Sequence, residues 1–342
     1  MNRQKMLIWL PSPLGDAVMS TPALRAIRQK YTDAEICFLG NSPVKAVLSD
    51  GAFNDRWIDL AGGVFNLAAR LKKAGFTDAI LFKNSFSCAL TVFLAGIKRR
   101  IGYGRDRRSW LLTDSIVPAK DPDGKFKPAP MVDYYLKIAE KLGCEIQDRN
   151  LELSVSNENS ETLPTAIKNI LKADRPVVIL VPGGAFGPSK CWPAERYGQT
   201  AKRLKDKYNA EVLVSVAPSE KELKAAGKIC SIADGAVNLG ELKLSLGNLK
   251  AVFESSDLVI TNDTGPRHIA IALKRKVITL FGPNDPKWTH TGFKDEIQIV
   301  GTADCVPCAK PRCFRKTHIC MESITVDEVM ENVEKLIGKG RV

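Results

Sequence analysis

Short apolar runs separated by polar, turn-forming stretches recur along the chain, and their lengths predict strands alternating with helices. The first run, 6–10, ends in Pro11-Ser12-Pro13-Leu14-Gly15-Asp16. Helical spacing follows, with Val18, Leu24, Ile27 and Tyr31 as candidate core positions and Pro22 marking a kink or restart. Strands are expected at 36–39, 56–60 and 79–82, with helices at 64–74 and 86–95. Residues 121–130 read as a turn-rich loop, 132–142 as helix and 151–155 as extended. The second half repeats the plan. A strand at 177–181 leads through the loop 182–192 to a helix with Tyr197, Ala201, Leu204 and Tyr208 on one face. A strand at 212–216, a helix near 220–229 and a closing helix at 325–337 follow. Such alternation predicts an α/β protein with parallel sheets covered by helices. The polar stretch 156–174 contains the expected boundary, dividing the chain into domains 1–163 and 164–342. Similar plans in both halves predict two Rossmann-like domains facing a central cleft.

The stretch 257–288 carries the most chemistry. Leu258-Val259-Ile260 predicts a buried strand, and Asn262, Asp263 and Thr264 are helix-capping types ahead of Gly265-Pro266 at a helix start. Ile269, Ala272 and Leu273 give that helix an apolar face, and 277–281 is a second strand ending at Gly282-Pro283. The capped turn of this βαβ unit would lie at a strand's carboxyl end, where open α/β sheets bind ligands and a helix start favours anions. Thr264 and His268, four apart, would share the helix face beside it. A phosphate or pyrophosphate is the expected occupant. The same residues would also serve as a plain helix cap with His268 as a satisfied polar residue.

Composition narrows the partners. A hydrophobic fraction of 44% with 26% charged residues fits an ordinary folded protein, and 342 residues suggest about two domains. No apolar run reaches the ~18 residues of a membrane span. The first run stops at Pro11, too short for a secretory signal, so a cytoplasmic location is expected. Lys plus Arg exceed Asp plus Glu by 50 − 38 = 12, which favours an anionic partner. No nucleic-acid-binding module is recognisable, leaving phosphorylated substrates or an anionic lipid surface. The first glycine turn lacks G-x-G-x-x-G, so no dinucleotide fingerprint is present. Arg99, Arg100, Arg105, Arg107 and Arg108 crowd one loop, either as a solvated basic surface or as a site for a phosphorylated acceptor. Cys305-x2-Cys308-x4-Cys313-x6-Cys320, near His318, offers enough ligands for structural zinc, with free or redox-labile thiols as the alternatives.

Three stretches together resemble glycosyltransferase family 9, the ADP-heptose:lipopolysaccharide heptosyltransferases. They are PSPLGDAVMSTPALRAIR, PGGAFGPSKCWPAERY and TNDTGPRHIAIAL…VITLFGPNDP, and GPSKCWP looks closest to the heptosyltransferase II branch. The resemblance implies a GT-B architecture and inverting, metal-independent sugar transfer without a cofactor. The N-terminal domain would take a lipid-linked lipopolysaccharide core acceptor and the C-terminal domain ADP-heptose, at the cytoplasmic face of the inner membrane. It implies Asp16 as general base, for which a first-turn carboxylate stabilising the helix dipole is the structural alternative. Lys190 would bind the donor phosphate, Asp263 would lie near the donor sugar, and Thr264, Gly265 and His268 would contact the phosphates. Glu220 would contact the ribose, with Glu222 a close competitor. Arg105, Arg107 and Arg108 are candidates for the acceptor. Another nucleotide sugar or acceptor within the family, or a non-catalytic protein binding anionic glycans, remain alternative readings.

Overall fold

The computed structural model describes residues 3–124 and 126–338, so Lys125 of the turn-rich stretch 121–130 lies outside the described residues. The chain divides into two compact units. The first runs through Leu153 and also takes Lys287–Gly292; the second comprises Ser154–Pro286 and the chain from Phe293 onward.

Each unit is built on one six-stranded, all-parallel sheet. In the first, β1 (Lys5–Trp9), β2 (Glu35–Gly40), β3 (Arg56–Asp59), β4 (Asp78–Leu81), β5 (Arg99–Tyr103) and β6 (Asp114–Ile116) run in the order β3-β2-β1-β4-β5-β6. The second has β7 (Val177–Val181), β8 (Glu211–Val214), β9 (Val237–Asn238), β10 (Leu258–Asn262), β11 (Lys276–Phe281) and β12 (Glu296–Val300). Its order, β9-β8-β7-β10-β11-β12, is the same plan repeated. This is the doubly wound Rossmann-like arrangement, once per unit, the GT-B plan. The order reverses between β1 and β4, and again between β7 and β10, and ligands of such sheets bind beyond the strand ends at that reversal.

The sequence explains the burial. Strands β7 (VVILV) and β10 (LVITN) are buried at every position, as strands covered by helices on both faces must be. Val178, Leu180, Ile260, Ile278 and Leu280 pack with Tyr197, Ala201 and Leu204 of the helix Ala194–Tyr208 and with Val329 and Val333 of the helix Val326–Ile337. In the first unit Leu7, Trp9, Leu39, Ala79 and Leu81 pack with Leu67, Leu71, Cys88 and Val92. Each unit therefore holds its own core.

Two local expectations are made specific. Residues 151–155, expected to be extended, join neither sheet, and the polar run beyond Ser156 folds as two short helices, Asn157–Glu161 and Thr165–Lys172. Pro22 restarts rather than kinks. The helix Leu14–Met19 ends at Ser20, and a second, Thr21–Lys30, begins with the proline in its first turn, where no N–H is missed.

Candidate functional site

In the second unit, β7 and β10 are neighbours in a register that pairs Val181 with Thr261, so their following loops leave the sheet side by side. Asn262 ties them together. Its Nδ2 donates to the carbonyls of Pro182 (2.8 Å) and Gly183 (3.3 Å), while its Oδ1 accepts from Trp192 N (3.3 Å) and Tyr197 OH (3.1 Å). The two glycines after β7 allow close approach. A Cβ on Gly183 would stand 2.1 Å from Glu222 Oε2, and one on Gly184 would meet Thr264 Cγ2 at 2.7 Å. The loop therefore lies directly against the start of the helix Gly265–Ala272. Thr264 is the N-cap residue of that helix but makes no side-chain cap, correcting the expected capping; its hydroxyl lies 3.4 Å from that of Thr261. A helix start of this kind favours negative charge.

Beneath it lies a chain of buried charges. Lys190 Nζ donates to Asp263 Oδ2 at 2.7 Å and to the Asp263 carbonyl at 3.0 Å. The other carboxylate oxygen of Asp263 accepts from Arg267 Nη1 at 3.2 Å. Arg267, entirely buried over the ring of Phe281, makes a two-bonded pair with Glu296 at 2.6 and 3.0 Å. Glu296 also accepts from Thr279 at 2.6 Å and from Gln298 at 3.0 Å. Burial alone would raise the Asp263 pKa, but the charges of Lys190 and Arg267 and the Lys190 hydrogen bond overcome it, lowering the value to about 2. Glu296 is likewise held below the ordinary carboxylate value, Arg267 outweighing burial. His268, buried and with no hydrogen-bond partner on Nδ1, is pushed down to about 3 by burial and by the positive charge of Arg267. It is neutral at physiological pH.

The expected residues do not all fall here. Glu220 is exposed and pairs with Lys224 at 2.7 Å within its own helix, Glu220–Ile232. Glu222 lies against Gly183 instead and accepts from Ala217 N at 2.9 Å. In the first unit, Asp16 follows β1 at the strand reversal, half-buried in the first turn of the helix Leu14–Met19. Its charge is close enough to Tyr135 to oppose that phenol's ionisation, after burial itself. Arg107 is exposed at φ 57°, and Arg105 stacks 4.0 Å from the ring centre of Phe126. Arg108 is corrected as an acceptor contact. It is fully buried, and its guanidinium donates to the carbonyls of Tyr103 (2.9 Å) and Lys83 (2.7 Å) and to Asn84 Oδ1 (2.9 Å). It clamps the loops after β4 and β5.

Cys305, Cys308, Cys313 and Cys320 line one cavity of about 10 Å³ together with His318 and Ser189. All four are free thiols, and among the described residues no group of three or more His, Cys, Asp or Glu is arranged to hold a metal ion. Their segment braces the lysine loop: Ser189 N and Oγ donate to the carbonyls of Pro311 (3.3 Å) and Lys310 (2.6 Å).

Comparison with known proteins agrees with this arrangement. The family model for glycosyltransferase family 9 (heptosyltransferase) matches residues 64–318. The chain belongs to this family. It is 29% identical to lipopolysaccharide heptosyltransferase 2 of Escherichia coli K12 over 311 residues, covering 83% of this chain and 84% of that one. It is 25% identical to lipooligosaccharide heptosyltransferase 2 of Campylobacter jejuni serotype O:6, covering 97% and 99%. The solved structure of the E. coli ADP-heptose LPS heptosyltransferase II superposes with a TM-score of 0.79 at 25% identity, covering 97% of this chain and 98% of that one. This family 9 chain is therefore a glycosyltransferase. Its sequence alone did not disclose Arg267 and Glu296, since a buried pair contributed by a helix and a neighbouring strand has no local spacing. Asn262 was read only as a capping type, and its four contacts follow from tertiary packing.

Proposed function

We propose that this transferase moves heptose from ADP-heptose to the inner core of lipopolysaccharide, with inversion at the anomeric carbon. The observation that carries the reading is the ion-paired Lys190 and the start of the helix at Gly265, whose N-cap Thr264 makes no side-chain cap, together beyond the adjacent ends of β7 and β10. A diphosphate is the ligand such a place suits: a lysine to exchange from Asp263 to a phosphate, backbone amides at a helix start, and glycines that let the backbone approach. Asp263, ionised down to about pH 2, would stay by the sugar and hold Lys190 between turnovers. Neutral His268 would offer a hydrogen bond without adding charge. Glu222, against Gly183, is better placed than Glu220 for the ribose hydroxyls.

In the reaction the acceptor hydroxyl attacks the anomeric carbon as the bond from that carbon to the β-phosphate oxygen breaks. Asp16 takes the hydroxyl proton as the new glycosidic bond forms, and ADP leaves with its negative charge met by Lys190 and the helix start. The acceptor would be the lipid-anchored core, carried at the cytoplasmic face of the inner membrane, with Arg105 and Arg107 as contacts for its acidic groups. Among the described residues no helix is long and apolar enough to cross a membrane, so contact with that face would be peripheral.

The test is turnover of ADP-heptose with a heptose-deficient core acceptor, read as the mass gain of one heptose. Asp16→Asn should cut transfer by about a hundredfold or more while retaining ADP binding. Undiminished transfer by the variant removes Asp16 as base, and no mass gain with the parent protein overturns the donor and acceptor assignment.

A further inference from the structure

A surface helix normally shows polar side chains outward. The helix Phe86–Leu94 does not. Its inward face buries Cys88, Ala89 and Val92, yet Phe86, Phe93 and Leu94 stand outward with 41%, 42% and 40% of their surface exposed. Trp110, 66% exposed on the turn Ser109–Leu111, joins them. Its ring centre is 6.4 Å from that of Phe86 and 6.0 Å from that of Phe93. Phe86 and Phe93 are seven residues apart, two helical turns, so the three rings form one continuous apolar face bridged by the tryptophan.

The surroundings are basic. Arg100 lies 5.4 Å from the ring centre of Phe93 and is fixed there by bonds to the carbonyls of Leu111 (2.7 Å) and Lys98 (3.2 Å). Lys98 is exposed four residues beyond Leu94. From Phe86 to Trp110 the chain has Lys98, Arg99, Arg100, Arg105, Arg107 and Arg108 against Asp106, a balance of 6 − 1 = +5. Arg99 is partly met by Asp78 and Asp114, and Arg108 is buried, so Lys98, Arg100 and Arg107 set the outward charge. Exposed tryptophan and phenylalanine bordered by Lys and Arg are the chemistry of a surface that sits at a lipid–water boundary. The rings enter the headgroup region while the cations meet anionic lipid.

We propose that the face formed by Phe86, Phe93, Leu94 and Trp110 is a docking surface for an anionic lipid membrane. The proposal deepens the reading of a lipid-anchored acceptor, which it presupposes, by naming where the enzyme meets the bilayer carrying it. Adsorption of this kind needs no spanning segment, and its electrostatic part weakens with added salt.

The full chain would be sedimented with vesicles of phosphatidylcholine alone and of equal parts phosphatidylcholine and phosphatidylglycerol, without donor or acceptor. Binding should be about tenfold stronger on the phosphatidylglycerol vesicles and should fall with salt. The double variant Phe93→Ser, Trp110→Ser should lose about tenfold of that binding, with its melting temperature and ADP affinity kept. It should also keep its transfer rate on a delipidated core acceptor. Equal binding by variant and parent, or no binding by the parent, overturns the proposal. So does a parent dimer that the variant converts to monomer without vesicle binding, which would assign the face to a second copy. Since vesicle binding is read without sugar transfer, either result leaves the assigned reaction standing or falling on its own test.

Discussion

At the scale of single residues, the buried charges of the second unit are mutually dependent. Lys190, Asp263, Arg267 and Glu296 form one chain, and neutral His268 borders it. Removing one member of a buried pair leaves an uncompensated charge, which is why such chains are sensitive to substitution. His268 gives the pH dependence. Its folded-state value, about 3, is below the ordinary 6.5, so the unfolded chain binds the extra proton first as the pH drops. Stability associated with the neutral imidazole is therefore fully present above 6.5 and is lost progressively as the pH falls towards 3. Asp263 adds its own loss only lower, between its ordinary 3.8 and about 2. His268→Gln should flatten the acid limb of urea-unfolding free energy between pH 6 and 4 relative to the parent. A limb of unchanged slope would show that another group titrates there. The candidate residues beside the turn, Asp263 to His268, were legible because a capping run before a Gly-Pro helix start is a local signal. Arg267 was not, although it lies between them: its meaning depends on Glu296, which is 29 residues away in sequence and meets it only through the packing of β12.

At the scale of elements, the strands that fill the sheet centres were readable, as was the edge strand β3, whereas the edge strands β6, β9 and β12 were not. Strands β1, β7 and β10 are compact apolar runs, whereas β6 is half-buried and β9 has two residues, too short to leave a pattern. The helix Ser42–Leu48 was missed for a different reason: it is announced only by Asn41, whose side chain accepts from Val44 N at 3.1 Å, and by Pro43 in its first turn. The loop 182–192 is the element on which donor binding should depend. Gly187 holds it at φ 148°, and a Cβ there would stand 2.3 Å from the carbonyl oxygen of Pro311. Neither the backbone angle nor the space admits a side chain. Gly187→Ala should therefore displace Lys190 and the cysteine-bearing segment together. The expected result is ADP affinity weakened about tenfold by calorimetry, while the core of the second unit, distant from that contact, keeps its far-ultraviolet spectrum. Retained affinity would separate the loop's conformation from nucleotide binding.

At the scale of the whole molecule, the same strand order appears twice, and the proposed chemistry is divided between the copies. The first unit presents Asp16 after its central strand; the second presents Lys190 and the helix start at Gly265 after its own. Duplication of the plan was legible as two runs of strand–helix alternation, but the identity of strand order was not, because pairing partners are set by crossovers rather than by any stretch of residues. Division of labour makes a prediction about where ADP acts. A ligand that binds only folded protein stabilises what it touches, by about 2.7 kcal/mol at a hundred times its dissociation constant. ADP should then slow amide hydrogen exchange in 182–192, following β7, and 263–272, following β10, leaving 10–16 after β1 unchanged. The acceptor analogue should do the reverse, because the proposed base belongs to the first unit. Protection of 10–16 by ADP alone would place nucleotide contacts in the first unit as well, and the assignment of donor to one Rossmann-like unit and acceptor to the other would have to be exchanged for a shared site. Exchange is the right probe because it reads each unit separately, whereas a single melting curve averages two bodies that each hold their own core.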